Sequence, residues 1–346
     1  MSQPLQHRAR VADVQSGAQQ AARAAGADTV SVIVPVYNGA AFLAETLRAV
    51  AAQTHAPVEL ILVDDESTDD SVAVAQDSGV PFKLLRQRNA GVSRARNAGL
   101  AAAQGKYVCF LDQDDVWYPD HLARQLAVFA AQPDNGAVVS PYQHWYPGAA
   151  GFATPPQALP ARPAQETDPD FTGWVYHQFL RDCWALTSAT LIRRQAVLDC
   201  GGFDETLPFS EDWDLWLRLA RQVRFAKLNW PPVLYRQHAV QGSRKARPVD
   251  HRCQLLLATV AAHGLASRDG RHVPRAEFDR IIAQYEADFG YTHLQCGDAA
   301  LGVRTLLRAW RRRPTAGRPL ALAVAATLGW RPGGGVPTSG TPASRP

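Results

Sequence analysis

Four runs of strand-forming residues, separated by segments with helical periodicity, constrain the fold of this chain most strongly. They lie at Val30–Val36, Val58–Val63, Pro81–Leu85 and Tyr107–Leu111. Nearly continuous apolar runs of this length are typical of strands buried on both faces of a parallel sheet. Strands that alternate with helices at this spacing form βαβ units with right-handed crossovers. The sequence therefore predicts an α/β fold with a Rossmann-like, mixed but mostly parallel sheet flanked by helices.

Clustered carboxylates follow two of these four predicted strands. Asp64 and Asp65 come after the second strand, and Asp112, Asp114 and Asp115 come after the fourth. In open α/β sheets, ligands bind beyond the carboxyl ends of the strands. Three carboxylates within four residues repel one another, and a divalent cation with oxygen ligands relieves that repulsion while leaving sites for phosphate oxygens. A solvated acidic turn that caps the following helix is the alternative interpretation.

The second half of the chain continues with strands and then becomes helical. Strand-like segments lie at Ala137–Ser140, Ala185–Arg193, Phe225–Leu228 and Val233–Arg236. A helix begins at Glu211, and residues 146–170 are rich in Pro, Gly and Ala, which is typical of a long mobile loop.

These patterns divide the chain into four parts. We expect a disordered leader at 1–28, an α/β domain at 29–247, a helical C-terminal region at 248–330 and a disordered tail at 331–346.

Net charge and cysteine content indicate which partners and which cellular compartment to expect. The formal net charge of the 346 residues is only +4, which argues against a nucleic-acid partner. The five cysteines are scattered and form no C-x-x-C pair, so we expect a reducing compartment, the cytoplasm. Residues 1–28 contain no continuous apolar core of the kind that a secretory signal has.

One apolar run near the end of the chain bears on membrane contact. Pro319–Trp330 has about a dozen residues, whereas a helix that spans a bilayer needs ~20. Because arginines precede it and a tryptophan ends it, the run is suited to lie on a membrane surface. A helix that packs on the domain is the alternative.

Four stretches in one order resemble the family 2 glycosyltransferases. They are VSVIVPVYNGA (30–40), LILVDDESTDDS (60–71), NAGVSRARNAGL with YVCFLDQDDVWYPDHL (89–122), and GGFDETLPFSEDWDLWLRL (201–219). The resemblance covers residues 30–245, about two thirds of the chain. It implies a GT-A fold, a nucleotide-diphosphate sugar donor (with UDP as the expected nucleotide) and sugar transfer with inversion at the anomeric carbon.

The resemblance assigns the donor nucleotide to residues after the first strands. Pro35 and Tyr37 match the platform for the base, although a tyrosine that fills the edge of the core is the alternative for Tyr37. Asp65 matches the carboxylate that accepts a hydrogen bond from the base, and Asp64 is then a brace of the loop. Arg96 matches the arginine near the diphosphate, where a planar, permanently charged fork suits phosphate oxygens.

The resemblance also implies a metal site for Mn²⁺ or Mg²⁺. Asp112 and Asp114 fill the family's metal motif, with Asp114 as the direct ligand, and Asp115 is then a supporting carboxylate or a helix cap. His238 is a further candidate ligand, since neutral imidazole binds metals. A structural role is the alternative for this histidine.

Asp212 matches the general base of the family. Its neighbour Glu211 is the other carboxylate to consider there, and we place Glu211 on the acceptor side. Trp213 is assigned to the acceptor side as well, with core packing as the alternative. The acceptor that the resemblance implies is a glycan or a lipid-linked glycan at the cytoplasmic membrane face, used in the synthesis of cell-surface polysaccharides.

The sequence departs from the family at position 66, which is Glu where the family usually has Gly or another small residue. This difference bears on which nucleotide base the donor site accepts.

The sequence also argues against two other classes of nucleotide-binding protein. No G-x-G-x-x-G follows the first strand, so a Rossmann dehydrogenase is excluded. Gly99–Lys106 resembles a P-loop, but its glycines are one residue too far apart. A non-catalytic subunit that binds a nucleotide sugar remains the rival interpretation.

Overall fold

A computed structural model of the chain describes residues 28–55, 58–149, 151–153, 166–238 and 247–332. The chain divides into two compact units. The first contains the described residues up to Gly173 together with Ala185–Arg236, and the second contains Trp174–Trp184 and the described residues from Gln237 onward. Apart from Asp28, the predicted leader lies outside the described residues, as do 333–346 of the predicted tail.

Ten strands are numbered here in chain order. They are β1 Val30–Val36, β2 Val58–Asp64, β3 Lys83–Arg86, β4 Tyr107–Phe110, β5 Val116–Trp117, β6 Asn135–Val139, β7 Gln143–Trp145, β8 Thr190–Arg193, β9 Arg224–Lys227 and β10 Val233–Arg236. Seven of them form one sheet in the order β3-β2-β1-β4-β8-β6-β9. Only β8 runs against its neighbours in this sheet. The predicted mixed, mostly parallel sheet is therefore confirmed.

The helices are numbered in the same way. They are α1 Leu43–Ala51, α2 Ser71–Asp77, α3 Val92–Ala102, α4 His121–Ala131, α5 Tyr176–Phe179, α6 Arg194–Asp199, α7 Glu211–Leu219, α8 His251–His263, α9 Arg275–Cys296, α10 Ala299–Arg312 and α11 Gly317–Thr327. Helix α5 and helices α8–α11 belong to the second unit, and the other helices belong to the first. The predicted helical C-terminal extension is confirmed as well.

The centre of the large sheet is buried because its strands are apolar on both faces. Every residue of β1 is buried, including the polar Ser31. Helix α3 packs closely on this strand at Gly99, where a Cβ atom would lie 2.3 Å from a side-chain carbon of Ile33. A larger residue at position 99 would push the helix away from the sheet. This helix carries Arg96, so its close packing fixes the position of that side chain.

The predicted strand at Ala185–Arg193 is shorter than its sequence pattern indicates. Strand β8 begins only at Thr190, after a short 3-10 turn at Thr187–Ala189. The Ser188 hydroxyl accepts a hydrogen bond from the backbone N–H of Asp112 (3.1 Å), and its carbonyl accepts one from the Trp117 indole (2.6 Å). These tertiary hydrogen bonds take the place of strand pairing at this point.

Three strands of the first unit form a second, smaller sheet. Its order is β5-β10-β7, with β10 antiparallel to β5 and parallel to β7. Since β5 begins one residue after Asp115, this sheet directly follows the acidic loop of the large sheet. The small sheet therefore connects residues near position 235 to the predicted metal motif.

The second unit is helical. Helices α9 and α10 are antiparallel neighbours across the turn at Gly297-Asp298, and the Asp298 carboxylate caps α10 by accepting from the N–H groups of Ala300 and Leu301. The two helices approach closely at Gly290 and Gly302. Among the described residues, no helix is long and apolar enough to cross a bilayer.

Candidate active site

Three loops meet at the carboxyl edge of the parallel strands and carry the predicted donor residues. Strands β2, β1 and β4 are adjacent, and in the register of the sheet Val36 lies beside Asp64. Tyr37 follows β1, Asp65 follows β2 and Asp112 follows β4 by two residues. Parallel strands that end together bring these side chains to one crevice, which is the position where open α/β sheets bind ligands.

Tyr37 lies in an exposed loop that is tied to the acidic loop by Gln113. The backbone N–H of Tyr37 donates to Gln113 Oε1 (2.9 Å), and Gln113 Nε2 donates back to the Tyr37 carbonyl (3.1 Å). Gly39 allows this contact, since a Cβ atom there would lie 2.4 Å from Gln113 Oε1. The Tyr37 side chain is 49% exposed, which leaves a ring face open for stacking. Pro35 is buried within β1, and its contact with a base remains a prediction.

Asp64 and Asp65 both brace loops of the site. Asp65 accepts from the backbone N–H groups of Ala90 and Gly91 and from the side-chain amide of Gln87. Asp64 Oδ1 accepts from the N–H of Ser67 at 3.0 Å, in agreement with the predicted bracing role. Because Asp65 holds the residues that precede α3, it positions the start of the helix that carries Arg96. Its hydrogen bond to a nucleotide base remains a prediction.

Left-handed backbone is found next to three predicted site residues. Within the described residues, the non-glycine positions with positive φ are Asn38 (51°), Glu66 (64°) and Ser210 (64°). They adjoin Tyr37, Asp65 and Glu211 in the sequence. Such backbone costs free energy and is typical of functional sites, where the surrounding structure enforces it.

The conformation at position 66 explains why a small residue suits it. Glycine adopts positive φ without strain, whereas a side chain there must be compensated. The Glu66 carboxylate accepts a hydrogen bond from the N–H of Asn89 (3.1 Å), in the loop that Asp65 also holds. The departure from the family therefore adds a contact between two loops of the site.

Arg96 joins the acidic loop to the predicted catalytic helix. Its side chain is buried and donates to Asp112 Oδ1 (2.8 Å) and to Glu211 Oε1 (2.9 Å), and the whole residue is 4% exposed. Burial works against the charge, but the carboxylates of Asp112 and Glu211 outweigh it and raise the pKa of Arg96. One permanent positive charge thus lies among the carboxylates at the centre of the site. The neighbouring Arg94 is exposed.

The acidic loop concentrates negative charge. Burial, together with the charge of Asp114, raises the pKa of Asp112, although Arg96 opposes this shift. Burial and the same neighbour raise the pKa of Asp115 further, and its Oδ1 accepts from the backbone N–H of Arg236 (3.1 Å). Asp115 therefore ties the loop to β10, in agreement with the supporting role that the sequence predicts.

The donor set of this loop fits a hard divalent cation in part. Asp112 and Asp114 offer carboxylate oxygens whose mutual repulsion a cation would relieve. Among the described residues, no group of three or more His, Cys, Asp or Glu side chains is arranged to hold a metal ion. Two carboxylates leave coordination sites for diphosphate oxygens and water, so this arrangement suits a cation that binds together with its nucleotide. His238 follows β10 by two residues, in the second unit, and remains a predicted ligand.

Asp212 lies in the first turn of α7, next to Glu211. Burial and the charge of Glu211 raise the pKa of Asp212 to about 7, against the attraction of Arg96. The backbone N–H of Trp213 donates to Asp212 Oδ1 at 2.7 Å. A carboxylate that titrates near neutral pH is suited to accept a proton from a hydroxyl group.

The two tryptophans of α7 are packed inside the protein. Trp213 is 3% exposed, and the fully buried Trp216 donates its indole N–H to the carbonyl of Ala185 (3.0 Å). These contacts are those of core residues. An acceptor contact by Trp213 remains a prediction.

Sequence reasoning missed two residues that fix the acidic loop. Gln113, within the loop, ties it to Tyr37, and Arg236 reaches it from β10. Arg236 is fully buried, donates from Nε to the Asp114 carbonyl (2.7 Å) and pairs with Glu45. Its guanidinium lies 4.2 Å from the centre of the Trp145 ring. A polar residue at the end of an apolar strand was visible in the sequence, but the pairing of β10 with β5 was not.

Comparisons with known proteins agree with this architecture. Residues 31–179 match the family model described as Glycosyl transferase family 2. An uncharacterized glycosyltransferase of Rickettsia prowazekii is 29% identical over 56% of this chain and 58% of its own length. Another, of Rickettsia bellii, is 30% identical over 66% of this chain and 32% of its own length. The matches thus span from about a third to three fifths of these relatives.

Among solved structures, S. aureus TarS 1–349 in complex with UDP-GlcNAc has a similar fold. The TM-score is 0.56 and the sequence identity is 19%, with 87% of each chain covered. At this identity the similarity supports the fold.

Proposed function

Because the chain belongs to glycosyl transferase family 2, we propose that it transfers a sugar from a nucleotide-diphosphate sugar to an acceptor hydroxyl with inversion at the anomeric carbon. One observation carries the proposal. Arg96, the predicted diphosphate arginine, pairs at once with Asp112, in the predicted metal motif, and with Glu211, beside the predicted base. The donor and catalytic halves of a transferase site are thereby held together by one buried cation.

The donor we propose is a UDP-sugar. The open ring face of Tyr37 is suited to stack on a base. Support for UDP comes from the resemblance to the family and from the fold shared with TarS, whose crystal structure contains UDP-GlcNAc. The sugar itself is left open by these observations, because fold does not determine substrate.

In the proposed reaction, Asp212 removes the proton from the acceptor hydroxyl as its oxygen attacks the anomeric carbon. The new carbon–oxygen bond forms on the face opposite the diphosphate, and the bond to the diphosphate oxygen breaks. The leaving diphosphate takes the bonding electrons, so its negative charge increases. We assign the stabilisation of that charge to Arg96, whose guanidinium pairs with Asp112 at the predicted metal motif. A positioned base of this kind contributes ~10²–10⁴-fold to the rate.

We propose that Asp112 and Asp114 hold Mn²⁺ or Mg²⁺ when the donor is bound. The cation would neutralise charge on the diphosphate, so that no acid is needed to protonate the leaving group. The raised pKa of Asp112, to which burial and the charge of Asp114 contribute, supports this assignment.

The proposed acceptor is a glycan or lipid-linked glycan at the cytoplasmic face of the membrane, in the synthesis of cell-surface polysaccharide. An exposed arginine face on α10 supports a polyanionic or membrane-bound acceptor. The rival proposal is a non-catalytic subunit that binds a nucleotide sugar. The intact set of Asp65, Asp114 and Asp212 favours the enzyme, since a binding subunit has no chemical need of the base.

A thermal-shift panel of nucleotide-diphosphate sugars, each with and without Mn²⁺, tests the donor and the cation together. A ligand at 100 times its dissociation constant stabilises the native state by ~2.7 kcal/mol. We expect UDP-sugars to raise the melting temperature more strongly with Mn²⁺ than without it. If no nucleotide sugar stabilises the protein under either condition, the proposed donor site is wrong.

A further inference from the structure

Four aromatic side chains cover one face of the small three-stranded sheet. We call this set the aromatic face, and it consists of Tyr142, His144, Tyr146 and Tyr235. The His144 and Tyr235 ring centres are 5.5 Å apart, and Tyr142 meets each of them edge-on at 5.5 Å. Tyr146 extends the set, with its ring centre 6.1 Å from that of His144. The four rings therefore form one continuous surface.

The alternation of strand side chains places these rings on the face of the sheet opposite to Arg236 and Trp145. In the parallel register of β7 and β10, Tyr235 lies beside His144, and Arg236 lies beside Trp145. Arg236 and Trp145 point to the opposite face, where they pack with Phe152. On the ring-bearing face, Val233 is buried in the main core and Tyr142 packs against that core, so the aromatic face continues outward from the core to the exposed rings of His144 and Tyr146.

The aromatic face is open to solvent. Tyr146 is 62% exposed and His144 is exposed, while Tyr142 and Tyr235 are half-buried at the base of the surface. Burial lowers the pKa of His144, so its imidazole is neutral at neutral pH. A surface of neutral rings with two hydroxyl-bearing tyrosines at its base carries no formal charge, and it offers both apolar faces and hydrogen-bonding groups.

The surface adjoins the acidic loop of the candidate active site. Tyr235 is followed by Arg236, whose N–H donates to Asp115 Oδ1 (3.1 Å) and whose Nε donates to the Asp114 carbonyl (2.7 Å). Burial, followed by the charges of Asp115 and Asp112, raises the pKa of Tyr235, which is a further sign that the ring is close to the loop. A ligand on the aromatic face would therefore lie beside the diphosphate end of the donor.

From this placement we propose that the aromatic face is an acceptor subsite that binds a pyranose ring of a glycan by stacking. A pyranose presents a patch of C–H groups on one face, which packs on the negative face of an aromatic ring, and it presents hydroxyl groups at its edge for tyrosine and imidazole. The donor base has its own ring at Tyr37, on a different loop. The inference rests on the proposed glycosyltransferase function and assigns the binding of the acceptor glycan to these residues.

Saturation-transfer NMR on the full chain tests the inference without knowledge of the true acceptor. The probes are the methyl glycosides of glucose, galactose and N-acetylglucosamine, each with UDP and Mn²⁺ in the same sample. We expect saturation transfer to the pyranose C–H protons of at least one glycoside with the wild-type protein. In Tyr146→Ala and His144→Ala, that signal should fall at least fivefold, while Tyr146→Trp should retain it.

The UDP signals and a matched control keep the outcomes separate. UDP signals should be unchanged in the Tyr146 and His144 variants, whereas Tyr37→Ala should weaken the UDP signals and leave those of the glycosides. Loss of UDP binding in the wild type would count against the proposed donor site, not against the aromatic face. The subsite is overturned if no glycoside receives saturation from the wild type, or if the signal survives in both alanine variants. Because Tyr146 and His144 are exposed, their variants should keep the wild-type melting temperature, which confirms folding.

Discussion

At the scale of single residues, the site depends on how its charges are paired. Arg96 is surrounded by the carboxylates of Asp112 and Glu211 and feels the charge of Asp212. A guanidinium reaches two carboxylates at once because its donors form a rigid fork, and an ammonium group is a single point charge. The geometry of Arg96 therefore matters as much as its charge.

We expect Arg96→Lys to lower kcat by ~10²-fold, because lysine keeps a positive charge but cannot pair with Asp112 and Glu211 together. Steady-state rates of nucleoside diphosphate release measure this change. Arg94→Lys is the matched control, two positions earlier on the same helix and exposed. Equal activity of the Arg96 and Arg94 variants would contradict the bridging role.

The pKa of Asp212 predicts an acidic limb in the rate profile. Since burial and Glu211 raise this pKa to about 7, the base is protonated and inactive below neutral pH and ionised above it. The rate should therefore rise with pH through about 7. Glu211→Gln removes a nearby negative charge, so the pKa of Asp212 falls and the limb should move to lower pH. A profile of kcat/KM against pH for both proteins measures the shift, because this ratio reports the pKa values of the free enzyme. A limb that stays in place or moves upward counts against Asp212 as the base.

At the scale of elements, strand composition predicted most of the large sheet. Strands such as β1 are buried on both faces, so their β-branched residues were sufficient to identify them. The acidic loops were predictable for the same reason, because they interrupt apolar runs. Contacts that depend on strand pairing were not, since β10 and β7 bring residues near 235 beside residues near 144. The aromatic face and the contacts of the buried Arg236 depend on this strand pairing, so they could not be predicted from the sequence.

The loop after β2 offers a test of backbone strain. At Glu66, with φ of 64°, we expect Glu66→Val to be less stable than Glu66→Gly by about 1–2 kcal/mol, because left-handed backbone is costly for a β-branched residue. Unfolding in denaturant measures the difference. Thr68 is exposed and lacks a positive φ. There we expect Thr68→Val to be more stable than Thr68→Gly, since glycine at this position only adds conformational entropy to the unfolded chain. Equal stability of the two Glu66 variants would show that the loop relaxes.

At the scale of the whole molecule, the second unit carries features suited to a membrane surface. On α10, Arg304, Arg308 and Arg311 are exposed on one side of the helix. At the end of α11, Leu328 is 82% exposed and Trp330 is 44% exposed. Exposed arginines, tryptophan and leucine are residue types typical of segments that lie at the interface of anionic membranes.

We expect the protein to sediment with anionic lipid vesicles at low salt and to remain in solution with neutral ones. Changing Arg304, Arg308 and Arg311 together to Gln should weaken binding substantially, since each basic residue contributes about 1 kcal/mol near a charged surface. Added salt should also weaken the binding of the unaltered protein to anionic vesicles. Retention of the protein in solution with anionic vesicles at low salt would rule out this contact.

The central claim, that the chain is an enzyme whose base is Asp212, is tested most directly by Asp212→Asn with the donor that stabilises the protein. Product formation and nucleotide affinity are measured on the same sample. Asp214→Asn is the control, a carboxylate two positions later on α7 that pairs with Arg218. We predict that Asp212→Asn lowers kcat by ~10²–10⁴-fold with little change in nucleotide affinity, and that Asp214→Asn retains turnover. Wild-type turnover in Asp212→Asn would contradict the assignment of the base, and absence of turnover in the unaltered protein, with nucleotide still bound, would favour the non-catalytic subunit.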